Sequence, residues 1–316
     1  MTRYIARRLL ISIPVLLGVS FLVFAVMHML PGDALTARLS ETGRIPQEDM
    51  DKFRHQFGLD RPLLQQYGSW IGGLFRGDFG TSLWTNKPVT SAILRSLPIT
   101  AELVIMGLVV SLLVAIPLGV IAAIKQNSWT DYLARLFSIS GLSLPDFWIA
   151  TVIILYMSIW FHYLPPVEYR PFIKEPLQNI EQFLLPSLLL GFRLSATTMR
   201  MMRSAMLEVL RQDYVRTAWA KGLRERNVMV RHALKNAMIP VVTIIGGQFA
   251  YTIGGTVIEE TIFALPGVGL LTLQSILNRD YTQLQGSIMF LGVAIVAINL
   301  LVDISYAWLD PRIRFK

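Results

Sequence analysis

The stretch AELVIMGLVVSLLVAIPLGVIAAI, residues 101–124, carries one ionisable side chain, Glu102, near its start. A helix needs about 20 mostly apolar residues to cross the hydrocarbon layer of a bilayer, and this stretch is long enough. Comparable runs lie near residues 9–30, 136–161, 183–205, 241–262 and 286–306, the fourth interrupted by Arg193 and Arg200. The pattern reads as an all-α integral membrane protein with about six transmembrane helices. Composition agrees, with 53% hydrophobic residues, 16% charged residues and a mean hydropathy of +0.50. Charged residues make up about a quarter of a soluble domain, so there is too little polar sequence here to coat one.

The first run follows Arg3, Arg7 and Arg8 and ends in Met29-Leu30-Pro31-Gly32-Asp33. A cleavable signal peptide has a shorter apolar stretch and a small-residue cleavage site, so this run is read as a retained span. The organisation is then a tail and first span over 1–30, a long extracytoplasmic loop over 31–100, and a five-helix core over 101–316 that contains a cytoplasmic loop at 208–240. The first loop carries turn signals at Gly58, Pro62, Gly72-Gly73, Gly77-Asp78 and Gly80, and a short helix is expected over 46–57. Basic residues concentrate in segments 1–8, 125–135, 206–239 and 310–316, whereas the loops at 162–182 and 263–285 carry mainly Arg170, Lys174 and Arg279. By the positive-inside rule both termini are cytoplasmic. The net charge of +8 therefore reports topology, and no nucleic-acid partner is expected.

The chain has no cysteine, no Gly-Lys dipeptide for a phosphate-binding loop, and no Gly-x-Ser-x-Gly elbow. Its four histidines, at 28, 55, 162 and 232, are scattered too widely for a His-Glu-x-x-His zinc site. No catalytic residue, metal or bound cofactor is expected, so the energy for any work must come from another chain.

The informative segment is loop 208–240. Leu210, Tyr214, Ala218 and Gly222 recur every four residues, which places them on one face of a helix. That face tapers from bulky to small, which would let another backbone approach at Ala218 and Gly222. Gly222 is suited to ending one short helix, Asn227 to capping a second, and Pro240 to the start of the next span. The result is a helix-glycine-helix knuckle with a basic outer face. A solvated linker whose charges only enforce topology is the plainer alternative.

These residues resemble the coupling ("EAA") loop of ABC-importer permeases, in the version of the dipeptide/oligopeptide/nickel family. Thr217, Ala218 and Gly222 occupy Glu-Ala-Ala-x-x-x-Gly positions, and Arg216 stands where the generic loop has Glu. Further matches run along the chain: Leu30-Pro31-Gly32-Asp33, Phe57-Gly58-Leu59-Asp60-Arg61-Pro62-Leu63, Gly77-Asp78-Phe79-Gly80-Thr81-Ser82, Arg231-His232-Ala233-Leu234-Lys235-Asn236, Leu265-Pro266-Gly267-Val268-Gly269 and Asp310-Pro311-Arg312-Ile313-Arg314. The long first outward loop is similar to that of the dipeptide system's "B" permease. The resemblance implies a type I importer permease in a bacterial or archaeal plasma membrane. It implies pairing with a second permease, two cytoplasmic ABC ATPases that hold ATP and Mg, and an extracytoplasmic substrate-binding protein. It implies that Tyr214, Arg216, Thr217, Ala218, Lys221, Gly222, Leu223 and Arg224 touch the ATPase. Di- or oligopeptides are the expected cargo, with nickel or another small solute as the alternative. A self-sufficient secondary transporter is the competing class, but no internal repeat or mid-span ion pair supports it.

Charges inside spans are costly and mark pathways or interhelix pairs. Glu102, Asp146, Arg193, Glu259, Glu260 and Asp303 qualify by position, although span ends would satisfy them as well. Glu259 and Glu260 are candidates to meet a peptide's amino group or a cation, and the turn Pro266, Gly267 and Gly269 is a candidate outer gate. Pro14, Pro117, Pro145 and Pro186 are expected to kink their runs. Trp70, Trp84, Trp148, Trp160 and Trp308 are expected in interfacial belts.

Overall fold

The computed structural model describes residues 2–29, 55, 60–166 and 168–309. The Pro31-Gly32-Asp33 motif, most of the expected helix over 46–57, the Phe57-Gly58-Leu59 motif and the basic tail 310–316 lie outside the described residues. Helices account for the regular structure among the described residues, besides one isolated bridge between Thr81 and Pro88. They are α1 (Thr2–Met29), α2 (Leu63–Leu74), α3 (Val89–Ile124), α4 (Trp129–Ser143), α5 (Asp146–Phe161), α6 (Pro176–Leu210), α7 (Asp213–Ala220), α8 (Glu225–Gly255), α9 (Val257–Ile262), α10 (Val268–Leu277) and α11 (Tyr281–Leu309). Four of them contain spans long and apolar enough to cross a membrane: Ile5–Met29, Val89–Ile124, Glu225–Gly255 and Tyr281–Ile304. The bent pair α4–α5 makes up to five.

The chain divides into two units, one of residues 1–99 with 266–296 and one of residues 100–265 with 297–316. In the first, the loop after α2 is pinned by the buried Asp280. Its carboxylate accepts a hydrogen bond from the Ser82 hydroxyl and from the backbone N–H groups of Leu83 (3.3 Å), Trp84 (3.4 Å) and Gln283 (3.2 Å). Ser82 closes the Gly-Asp-Phe-Gly-Thr-Ser motif, so part of that motif is spent on an internal tie 198 residues long in sequence. Removing a buried acceptor strands its donors. Asp280→Ala is expected to cost about 2–3 kcal/mol, read as a lowered thermal midpoint of the purified protein.

In the second unit, the single apolar run 136–161 is two helices that meet at 99°. Proline clashes with the residue before it in the α conformation, and Leu144 is accordingly extended (φ −83°, ψ 130°) ahead of Pro145. The expected kink is thus a full break. Helix α6 holds the run that Arg193 and Arg200 interrupt, and it is too polar to pass as a span by composition. Its polar groups are buried against their own neighbours. Asn179 Nδ2 donates to the Arg170 carbonyl (2.7 Å), Gln182 Nε2 to the Pro166 carbonyl (2.9 Å), and the Thr198 hydroxyl to Gln248 (3.0 Å). Helices α3 and α6 touch backbone to side chain at Gly191, where a Cβ would sit 2.4 Å from Val110 Cγ1. Without lipid-excluded hydrophobic gain between helices, such close approach at small residues is what holds membrane helices together.

Candidate functional site

Helix α6 stops at Leu210, and Gln212 is extended (φ −75°, ψ 146°) before α7 begins. Leu210 and Tyr214 are therefore on different helices, and the four-residue recurrence does not form one continuous face. The inward face of α7 is instead Val215 and Ala218, both buried against Val228, with Val209 and Leu210 packed on them. Ala218 is small because the knuckle's own second limb lies on it. The open slot expected there is filled by this chain.

Gly222 does end the helix. Its φ is +72°, a left-handed conformation that costs residues with a Cβ. Its N–H donates to the Trp219 carbonyl (2.9 Å) and the next N–H, of Leu223, to the Ala218 carbonyl (3.4 Å). These two bonds satisfy the last carbonyls of α7 in the manner of a glycine cap. A Cβ at Gly222 would meet nothing within 4 Å.

The second limb starts at Glu225, two residues before the expected cap. Asn227 has helical angles (φ −70°, ψ −41°) and caps nothing. The limb widens into a π-helical turn over Val228–Leu234 and continues to Gly255, so that Pro240 lies inside the helix and not at its start. Asn236 joins the limbs, its Nδ2 donating to the Tyr214 hydroxyl (2.9 Å) and to the His232 carbonyl (2.9 Å).

Residues 219–227 are all exposed. They present Trp219 and Leu223, 43% and 37% exposed, among Lys221, Arg224, Glu225 and Arg226. Arg216 is exposed beside Asp213 at 3.5 Å, and the exposed Thr217 hydroxyl donates to the Asp213 carbonyl (2.9 Å). Of the sequence-derived set, Tyr214, Arg216, Thr217, Lys221, Gly222, Leu223 and Arg224 share this surface, and Ala218 lies beneath it. Trp219 shares this surface and is absent from that set. Its signal was an indole in a basic loop far from any span end, where belt anchoring does not explain it.

The base of the knuckle is closely packed. Met202, Ala205 and Met206 of α6 pack on Ala233, Ala237 and Val241 of α8, with Ala123 of α3. The fully buried Asp131, at the start of α4, accepts from Arg203 Nε (2.7 Å) and Nη2 (2.9 Å) and from the Asn127 N–H (2.9 Å), with Arg135 Nη2 at 3.3 Å. These contacts tie α4, α6 and α8 together beneath the knuckle.

The remaining candidates scatter. Glu260 is buried and its carboxylate accepts from the hydroxyls of Thr100 (2.7 Å) and Thr256 (2.8 Å). Glu259 is buried with neither oxygen hydrogen-bonded among the described residues, and Arg193 pairs with Asp146. Both glutamates lie within their unit because the chain breaks at Thr256 and α9 turns them inward. Pro266 is exposed, while Gly267 and Gly269 are buried. The Gly267 carbonyl accepts from the Leu271 N–H (3.0 Å) at the start of α10. Glu102 accepts from the Tyr169 hydroxyl (3.0 Å), and burial together with that carboxylate pushes the phenol up to about 12.

Comparison with known proteins adds the following. The family described as "Binding-protein-dependent transport system inner membrane component" matches residues 115–315, and the family describing its N-terminal part matches residues 1–104. A putative peptide transport system permease protein of Brucella abortus is 40% identical over 315 residues, covering all of both chains. The dipeptide transport system permease protein of Alkalihalophilus pseudofirmus is 37% identical over 336 residues, and the oligopeptide transport system permease protein of Bacillus subtilis 38% over 318, again over all of both chains. Among solved structures, inward-facing MetNI, a methionine ABC transporter, matches with a TM-score of 0.54 at 14% identity, over 69% of this chain and 96% of that one. That last likeness is one of fold.

Proposed function

Because the chain belongs to the binding-protein-dependent transport system inner membrane component family, we propose that it is the permease of an ATP-driven importer of di- or oligopeptides, sited in a bacterial or archaeal plasma membrane with both termini cytoplasmic. The relatives named for peptide, dipeptide and oligopeptide transport support the cargo. The observation that carries the mechanism is the exposed, glycine-capped knuckle with Trp219 and Leu223 at its tip. Two such permeases pair, and each seats its knuckle in a groove on a cytoplasmic ATPase that binds ATP and Mg. Trp219 and Leu223 supply the apolar anchor and Lys221, Arg224 and Arg226 the charged rim. ATP favours the closed ATPase pair, and the permease follows into its outward state because that state fits the closed pair better. A binding protein outside delivers the peptide, and hydrolysis returns the permease inward.

Tagged chain purified in mild detergent is expected to bring down a second permease and ATPases. Trp219→Ala is expected to keep the permease partner while weakening ATPase retention about tenfold or more, the loss typical of a buried aromatic anchor. A transport-competent chain that purifies with no ATPase would overturn the reading.

A further inference from the structure

The first unit contains a cavity of about 340 Å³ whose walls include Phe24 and His28 of α1 and Tyr281 and Gln285 of α11. Those residues stand at the ends of two apolar spans, Ile5–Met29 and Tyr281–Ile304. The cavity is therefore at a membrane surface. Helix α2 forms another wall through Trp70. No residue of α2 is buried, and Leu63, Leu64 and the adjoining Phe75 are exposed, as expected of a helix lying in the interfacial layer. On α1, Leu17, Leu22 and Val26 are exposed as well, so apolar surface for acyl chains lies on the same two helices.

The polar equipment of the cavity carries both signs. Arg61 and Asp78 line it. Asp78 uses Oδ1 to accept from the Gly80 N–H (2.8 Å). Trp70, held in an aromatic cluster with Phe24 and Tyr67, has an indole N–H that is buried and has no acceptor among the described residues. The Trp70 ring walls the cavity, while its buried N–H does not open into it. We propose that this cavity binds the head group of a phospholipid that carries both a phosphate and a free ammonium. Arg61 holds the phosphate, Asp78 holds the ammonium, and the acyl chains run along α1 and α2. The volume is within the range of small-molecule sites. The inference is independent of the cargo. The termini of a short peptide present the same pair of charges, so the test separates the two sources.

The complex purified with its copurifying subunits is delipidated in detergent, and its thermal midpoint is read on adding phosphatidylethanolamine or phosphatidylglycerol. Phosphatidylethanolamine is expected to raise the midpoint at lower concentration. Asp78→Asn is expected to remove that preference, and Arg61→Gln to weaken the response to phosphatidylethanolamine about tenfold, as loss of one charged hydrogen bond does. Equal response of the unmodified protein to the two lipids overturns the proposal, as does a preference that survives Asp78→Asn. Millimolar dialanine that mimics and competes with phosphatidylethanolamine assigns the site to a soluble zwitterion and also overturns it. Should a variant fail to insert, the comparison of lipids on the unmodified protein decides.

Discussion

Gly222→Asp is expected to insert into the membrane, keep its own fold, and transport at least about tenfold less substrate, a deficit of some 1.4 kcal/mol or more in coupling. The loss does not come from a steric clash within the chain. A Cβ at Gly222 meets nothing within 4 Å, and Asp is among the side chains that best tolerate the positive φ. On the proposed seating in an ATPase groove, what remains is the partner: a charged side chain now stands at the tip between Trp219 and Leu223. Gly222→Ala separates the two causes. It shares the backbone strain of roughly 1–2 kcal/mol and adds only a methyl group, so it should retain substantially more transport. Membrane fractionation shows insertion, and uptake of labelled peptide measures coupling. Normal uptake by Gly222→Asp would remove the knuckle from the mechanism.

Asp131→Ala should be among the most destabilising single changes in this protein. Asp131 is fully buried; it accepts two hydrogen bonds from Arg203 and one from a backbone N–H, and it forms an ion pair with the part-exposed Arg135 at 3.3 Å. Removing it strands the Arg203 guanidinium at the base of the knuckle, and breaking a buried pair from one side costs about 3–5 kcal/mol. The measurement is the thermal midpoint of the purified complex, compared with that of Arg216→Ala. Arg216 and its partner Asp213 are mostly exposed, and an exposed pair contributes about 0–1 kcal/mol. A change at Asp131 no larger than that at Arg216 would show that the base is not held by this cluster.

The knuckle was legible in the sequence because its signals are local. Glycine at 222 is preferred for a positive φ whatever surrounds it, and a run of exposed charges between apolar stretches marks a loop. Its interior was not legible. Spacing of four made Leu210, Tyr214, Ala218 and Gly222 look like one face, but the break after Arg211, where Gln212 is extended, resets the register, and the buried pair is Val215 and Ala218. Trp219 is absent from the sequence-derived set for the same reason, since the side it presents depends on where α7 begins.

What the sequence determined by itself is the helical class, the positions of the apolar runs, the place of the knuckle and the family. A bilayer leaves the backbone no partner but itself, so length and hydropathy along the chain suffice. The tertiary structure alone decided that the kink at Pro145 is a full break of 99°, that Asn179, Gln182 and Thr198 of the polar α6 find partners among its neighbours, and that Glu259 and Glu260 turn inward. It also decided which distant side chains answer each other, Asp131 with Arg203 across 72 residues and Ser82 with Asp280 across 198. Those pairings are absent from any local pattern because a buried charge is stable only beside a partner that packing, not sequence spacing, brings within hydrogen-bond reach.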